Sequence, residues 1–210
     1  TPYLVYDIET IWDMNNLKNM KFMLWYSVIS NEDHAKAIKY RSVSIDNLRK
    51  FVDFMLKFDW FVVWYNNIFF DNPVCAYNVG YSSSEIDILN KKSLDLFVLI
   101  HHLTWRRLWL NKVSQALIWA AKTLSSWMEW TQLLIKYNQT WEKALLSKVQ
   151  NYCKNDVKMT LWVLLYFLRY QKIYIDWQEI EFDMSQMIEL GKTAPREEES
   201  TKVDKWIFDF

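Results

Sequence analysis

The opening third of the chain is written in short apolar runs rather than in helical stripes. "YLVYDIE" (Tyr3–Glu9) is rich in β-formers and reads as a buried strand that ends in acids. "WYSVIS" and "AKAIKYRS" read as a second and a third strand. The period then changes. Leu48, Phe51, Val52, Met55 and Leu56 recur at helical spacing, with Ser44 as N-cap, and predict a helix through about Phe58. "FVVWY" (Phe61–Tyr65) predicts a fourth strand, and Pro73 belongs in the first turn of the helix that follows. "SLDLFVLIHHL" (Ser93–Leu103) is too uniformly apolar for its period to decide between strand and helix. From Asn111 the pattern is mainly helical, through "NKVSQALI", "TQLLIKY" and a long helix around Ser147–Tyr170. Three hairpin-like strands followed by helix, strand and helix predict an α/β fold with a mixed sheet of about five strands flanked by helices. Residues 1–190 read as one domain, with no internal repeat, and the charged stretch 191–210 as a flexible tail.

Composition narrows the function classes. A chain of 210 residues, 51% hydrophobic, is long enough for one sizeable core. No apolar run reaches the roughly 18 residues of a spanning helix, so no membrane partner is expected. The formal net charge is zero, from 25 basic and 25 acidic residues, so any nucleic-acid surface must be a local patch. Cys75 and Cys153 stand far apart in no metal-like spacing, which suits a reduced, cytoplasmic location.

The glycine count is out of line. There are 2 glycines and 13 tryptophans, where a chain of this length ordinarily carries roughly fifteen glycines. Trp12, Trp64, Trp105, Trp109, Trp127 and Trp130 fall at strand ends or in polar stretches where glycine permits positive φ or close backbone approach. The expectation is that about a dozen of these codons are read as glycine in the native organism. On this reading Trp64, just before "YNN", stands where a small residue belongs.

The acids carry the chemistry. Asp7 and Glu9 lie two apart on a strand and so share a face; alone, such a pair more often caps a loop than binds a metal. Asp71 follows the fourth strand and could by itself be the N-cap of the helix at Pro73. Tyr152 and Asp156 are four apart on a helix, one face again, and alone could be a solvated stripe. Carboxylates arriving from a strand, a loop and a late helix suit hard divalent cations, which take oxygen ligands. Two such ions about 4 Å apart serve phosphodiester hydrolysis.

The set "DIE", "YNNIFFD" and "YCKND" resembles the three motifs of the DEDD 3′–5′ exonucleases, which have an RNase H-like fold. It is similar to the proofreading domains of family-B DNA polymerases and to small bacterial RNase H-like nuclease domains over roughly residues 3–170. Asp7 and Glu9 match the first motif, Asp71 the second, and Tyr152 with Asp156 the third in its Tyr-x-x-x-Asp form. The histidine form needs His at position 151, which is Asn, so the resemblance is to the Tyr subclass. His101 and His102 lie too far upstream for that role and are expected at an element's end.

The resemblance implies a cofactor of two Mg²⁺ or Mn²⁺, a substrate of single-stranded or 3′-ended DNA or RNA, and 5′-mononucleotide products. It implies that Asp7, Glu9 and Asp156 hold one ion, that Asp7 bridges to a second, and that Asp71 supports that second ion from its outer shell. Tyr152 would orient the attacking water. Asn66 or Asn67 would contact the terminal nucleotide, Phe70 would stack on a base or pack beneath the loop, and Lys154, with Lys148 and Lys158, would meet phosphate or simply face solvent. Asp95 belongs to none of the three motifs and reads as structural. The competing functions are an RNase H-like endonuclease, a helicase-associated nuclease acting in DNA repair, and an inactive docking module; any helicase or polymerase partner would be a separate chain.

Overall fold

The computed structural model describes residues 2–11, 16–30, 35–38, 45–120 and 127–191. Its sheet holds β1 (Tyr3–Ile11), β2 (Lys21–Ser30), β3 (Ala35–Ile38), β4 (Phe61–Trp64) and β5 (Ser93–Asp95) in the order β3-β2-β1-β4-β5. β2 runs antiparallel to both β1 and β3, while β4 is parallel to β1 and β5 is parallel to β4. The molecule is therefore a mixed α/β fold with five strands in its main sheet, as the apolar runs predict. The middle strand, β1, is buried from Tyr3 to Thr10. A strand covered on both faces needs a continuous apolar run rather than alternation, which is why "YLVY" has no polar face.

Helices cover both sides of β1. On one side Tyr6 meets Phe51 of α1 (Ile45–Lys57) edge to face, with ring centroids 5.7 Å apart. Phe51 in turn stacks on Trp25 at 4.9 Å. On the other side the 28-residue helix α7 (Lys143–Tyr170) lies against β1 and β2. There Met23 and Leu24 of β2 join Leu134 and Tyr137 of α6 (Trp127–Thr140) and Leu145, Val149 and Cys153 of α7 in a second apolar cluster.

Between these lie α2 (Asn72–Asn78), α3 (Ser83–Lys92), α4 (Leu96–Thr104) and α5 (Leu110–Ile118). Pro73 sits in the first turn of α2. The undecided stretch Ser93–Leu103 is both things in succession: three residues of β5, then α4, with the Asp95 side chain as the N-cap between them. His101 and His102 close the last turn of α4. Beyond α7 come an unpredicted hairpin, β6 (Lys172–Ile175) with β7 (Gln178–Glu181), and α8 (Met184–Gly191). Ser44 and the stretch 192–210 lie outside the described residues. Among the described residues no helix is long and apolar enough to cross a membrane.

The tryptophans divide into two groups. Trp105, Trp119 and Trp141 follow the ends of α4, α5 and α6 with φ of 56°, 57° and 56°, and Trp177 has φ 67° in the hairpin turn. All four side chains stand in solvent, 70–94% exposed. These are left-handed positions at helix C′ sites and in a two-residue loop, where glycine is the ordinary occupant because it has no Cβ to clash. The turn Asp176–Trp177 has positive φ at both residues, the requirement of a type I′ hairpin that Asp-Gly meets.

Trp64 is different, and here the expectation is corrected. It lies in β4 opposite Asp95, 5% exposed, within the main core, and its φ is not positive. Trp109 caps α5 from an extended conformation and stacks on Phe97. Trp127 and Trp130 fall inside α6, where no glycine is called for, and Trp12 lies outside the described residues.

Candidate active site

The site forms where β1 outruns its parallel neighbour. Pairing of β1 with β4 ends at Val5↔Val63, so the next residues of β1 face not a strand but the segment after β4. That segment opens with Asn66 in the left-handed region, φ 77°, and winds through a π-helical turn, Asn67–Asp71, into α2. A crevice beyond the carboxyl end of a parallel strand is where open α/β sheets commonly seat ligands.

Four acids and a phenol are buried here: Asp7, Glu9, Asp71, Asp156 and Tyr152, none more than 6% exposed. Asp7 and Glu9 sit on β1 opposite Tyr26 and Leu24 of β2, just before a register shift at Glu9/Thr10. Tyr152, Cys153 and Asp156 lie on the buried face of α7, and the Cys153 thiol donates to the Asp7 carbonyl at 3.5 Å. Ligand atoms of Asp7, Glu9 and Cys153 are all within 4.8 Å of one another. Asp71 and Asp156 stand outside that close set.

Electrostatics ties the remaining groups to it. Burial, then the charges of Asp156, Glu9 and Asp7, push the Tyr152 hydroxyl far above its ordinary value, and a hydrogen bond to Asp156 adds to this. Burial and the charges of Asp7, Glu9 and Asp156 hold the Cys153 thiol up in the same way. On the opposite flank, burial and the charges of Asp71 and Asp7 raise the Cys75 thiol. Asp7 is thus felt on both flanks of the site, beside Glu9 and Asp156 on one and beside Asp71 on the other.

Asp71 is not the helix cap that its place before Pro73 suggested. Its side chain makes no capping hydrogen bond; it faces the Ile8 backbone of β1, whose amide helps to hold its carboxyl down. Burial raises it well above the carboxylate range, the nearby Asp95 charge raises it further, and its own amide and that of Ile8 oppose the rise. The segment is held from behind by a polar network in the core. Tyr6 donates its hydroxyl to Asn72 Oδ1 at 2.7 Å, and Asn72 Nδ2 reaches Asn90 Oδ1 and Ser93 Oγ, each at 2.8 Å.

The expected nucleic-acid contacts fare unequally. Asn67 is wholly buried and its Nδ2 donates to Ser93 Oγ at 2.9 Å, so its side chain serves the core and not a ligand. The asparagine pair looked alike in sequence, but the left-handed turn at Asn66 sends the two residues to different surroundings. Asn66 stays half-exposed. Phe70 is half-buried and packs against the main core. Lys154 lies at the rim with its Nζ 6.0 Å from the Tyr26 ring, while Lys148 and Lys158 are exposed. Two site residues escaped the sequence reading. Cys153 was dismissed for its spacing from Cys75 although it lies inside "YCKND". Asp95, which lies in none of the three motifs, is fully buried.

Burial of these carboxylates predicts a pH dependence. Burial pushes Asp95 up to about 6, against backbone hydrogen bonds from Asn66, Ile68, Val98 and Phe97 that pull it down. A folded-state value above the unfolded one favours the folded chain below the ordinary carboxylate range, and that contribution is lost as pH rises through the folded value. With divalent ions chelated, stability against urea should therefore fall between about pH 4 and pH 6.5, by on the order of 3 kcal/mol for Asp95 alone. Asp71, held up by its burial, adds to the decline. A stability that climbs across this window would contradict the burial of both groups.

No family model matches this chain, and no curated protein matches it. Among solved structures, a family B DNA polymerase from the hyperthermophilic archaeon Pyrobaculum calidifontis aligns with a TM-score of 0.56 at 18% identity, over 80% of this chain and 24% of that one. At this identity the likeness is one of fold. The chain spans about a quarter of that polymerase's length.

Proposed function

We propose that the chain is a metal-dependent 3′–5′ exonuclease domain of RNase H-like architecture, acting on single-stranded or 3′-ended DNA or RNA. The observation that supports this reading is the close buried set on the middle strand that includes Asp7 and Glu9, with the charge of Asp156 felt beside them at Tyr152 on one flank and that of Asp71 felt with Asp7 at Cys75 on the other. The strand order and the fold neighbour support it as well.

The residues suit a hard divalent cation. Burial penalises bare carboxylates unless positive charge joins them, and the donors here are mostly carboxylate oxygens. Asp7, Glu9 and Asp156 would hold one Mg²⁺ or Mn²⁺, and Asp7 with Asp71 would serve the second. When bound, such a pair lowers the pKa of water and stabilises the leaving oxygen of a phosphodiester. The Cys153 thiol is a poor partner for a hard ion, and it forms the back wall of the site through its bond to the Asp7 carbonyl. Burial and the surrounding acids hold the Tyr152 hydroxyl well above its ordinary value, which suits it to orient water rather than to act as a base. Asn66 and Lys154 line the approach for the terminal nucleotide, with Phe70 beneath the loop. A cytoplasmic role alongside a helicase or polymerase fits this chemistry.

The test is digestion of an oligonucleotide labelled at its 5′ end, with Mg²⁺ or Mn²⁺, against the same strand carrying a blocked 3′ end. A ladder shortening from the free 3′ end, absent on the blocked strand and with chelator, is the expected result. Equal cleavage of both strands would replace the exonuclease by an endonuclease. Inertness toward DNA and RNA with either metal would leave only a docking module.

A further inference from the structure

The structure assigns to Asp95 a positioning role: its carboxylate fixes the turn that presents Asp71 to the site, so it acts on the metal-dependent reaction without touching substrate or ion. The inference rests on the nuclease reading.

Asp95 ends β5, wholly buried, and is paired with Trp64 at the end of β4. Its two oxygens serve two different pieces of chain. Oδ1 accepts from the Phe97 amide at 2.9 Å and the Val98 amide at 3.4 Å, which caps α4. The same oxygen accepts from the Asn66 amide at 2.8 Å, and Oδ2 accepts from the Ile68 amide at 3.1 Å. Those last two bonds grip the chain where it leaves β4, on either side of Asn67. Asn66 takes the left-handed conformation that asparagine adopts more readily than other side chains, and the two bonds fix the chain in it. At the far end of the turn Asn72 is tied to Tyr6, Asn90 and Ser93. Asp71 is thus suspended between two anchors, and Asp95 is the one nearer the strand.

A helix cap alone needs only one oxygen and one or two amides. The carboxylate does more than cap, and the excess goes entirely to the Asp71 turn. Residues that orient a ligand from behind typically govern affinity or rate by about 10–100-fold when altered.

Asp95→Ser and Asp95→Asn separate the two duties. Serine can still cap α4 but is too short to reach the Asn66 and Ile68 amides. Asparagine keeps one acceptor and turns an NH₂ toward one of the amides. Activity of wild type and both variants is measured as a function of Mn²⁺, well below each protein's melting temperature, together with KM for the oligonucleotide and amide hydrogen exchange over residues 66–71. The expected result is a half-saturating Mn²⁺ raised, or kcat lowered, by about tenfold or more. KM should hold, and exchange should quicken in 66–71 while α4 stays protected. A purely structural residue would lower the melting temperature and leave the Mn²⁺ midpoint and kcat within twofold of wild type, which would overturn the role. Failure of both variants to fold would overturn it too, making Asp95 a folding residue. If the wild type itself shows no metal-dependent cleavage, the nuclease reading falls and this inference with it; an active wild type with unchanged variants sinks the inference alone.

Discussion

Asp7→Ala and Asp156→Ala should each lower Mg²⁺- or Mn²⁺-dependent digestion by about 10³-fold or more, equivalent to on the order of 4 kcal/mol of lost transition-state stabilisation. Neither should destabilise the chelated protein by a comparable amount. Both carboxylates are buried, 6% and 3% exposed, and share a site with Glu9. Removing one relieves repulsion and desolvation in the metal-free fold. The two measurements together carry the diagnosis: activity collapses while the urea midpoint in chelator holds or rises. Were these acids ordinary members of ion pairs that support the fold, the pattern would invert, with stability lost first. Full activity in both variants would refute the assignment of the site. Asp7 is the more telling of the two, because its charge is felt by Tyr152 and Cys153 on one flank and by Cys75 on the other.

The second large effect concerns the four tryptophans at positive φ. Replacing Trp105, Trp119, Trp141 and Trp177 together by glycine should stabilise the protein by about 3 kcal/mol. The left-handed conformation costs an ordinary residue about 1–2 kcal/mol, partly offset by the greater freedom of glycine in the unfolded chain. Trp119 and Trp141 follow different helices and should add, while Trp105 and Trp177 adjoin the two ends of the Arg106–Asp176 ion pair and are best replaced together. For a chain of this size the gain corresponds to roughly 6–12 °C in melting temperature. Trp25→Gly and Trp64→Gly are the controls. Both side chains fill the main core, 3% and 5% exposed, and their loss should cost about 3–5 kcal/mol. Equal, small effects at all six positions would show that backbone conformation has no bearing on which tryptophans stand in place of glycine. The gene offers an independent check, since the reading requires the four codons to differ from those of Trp25 and Trp64.

How far the sequence reveals this molecule depends on which physical signal each element uses. β1, β2, β4 and α1 announce themselves because burial on one or both faces writes a clear period into the residues. The "SLDLFVLIHHL" stretch hides its break because both β5 and the first five residues of α4 are buried, so no polar residue marks the change except Asp95. The hairpin β6–β7 escaped for a chemical reason. Its strands have four residues each, and the turn reads Asp-Trp where Asp-Gly would have signalled it.

The acids of the site were legible from the motifs that contain them. Their supporting residues were not. Asn67 and Asn66 are the same letter twice, and only the left-handed backbone between them decides which is swallowed by the core. Asp95 works through main-chain amides, which carry no residue identity, so no spacing in the sequence could have disclosed it.

The place of α7 bears on when the fold can close. β1 precedes the other strands of its sheet in sequence, yet the helix that covers its acidic face is supplied only by residues 143–170. A nascent chain that has emerged through α6 can pair its strands but leaves Met23, Leu24, Leu134 and Tyr137 without the side of their cluster that Leu145, Val149 and Cys153 provide. Completion of the pocket therefore waits on α7, and a chain cut before Lys143 lacks the helix face that covers Asp7 and Glu9.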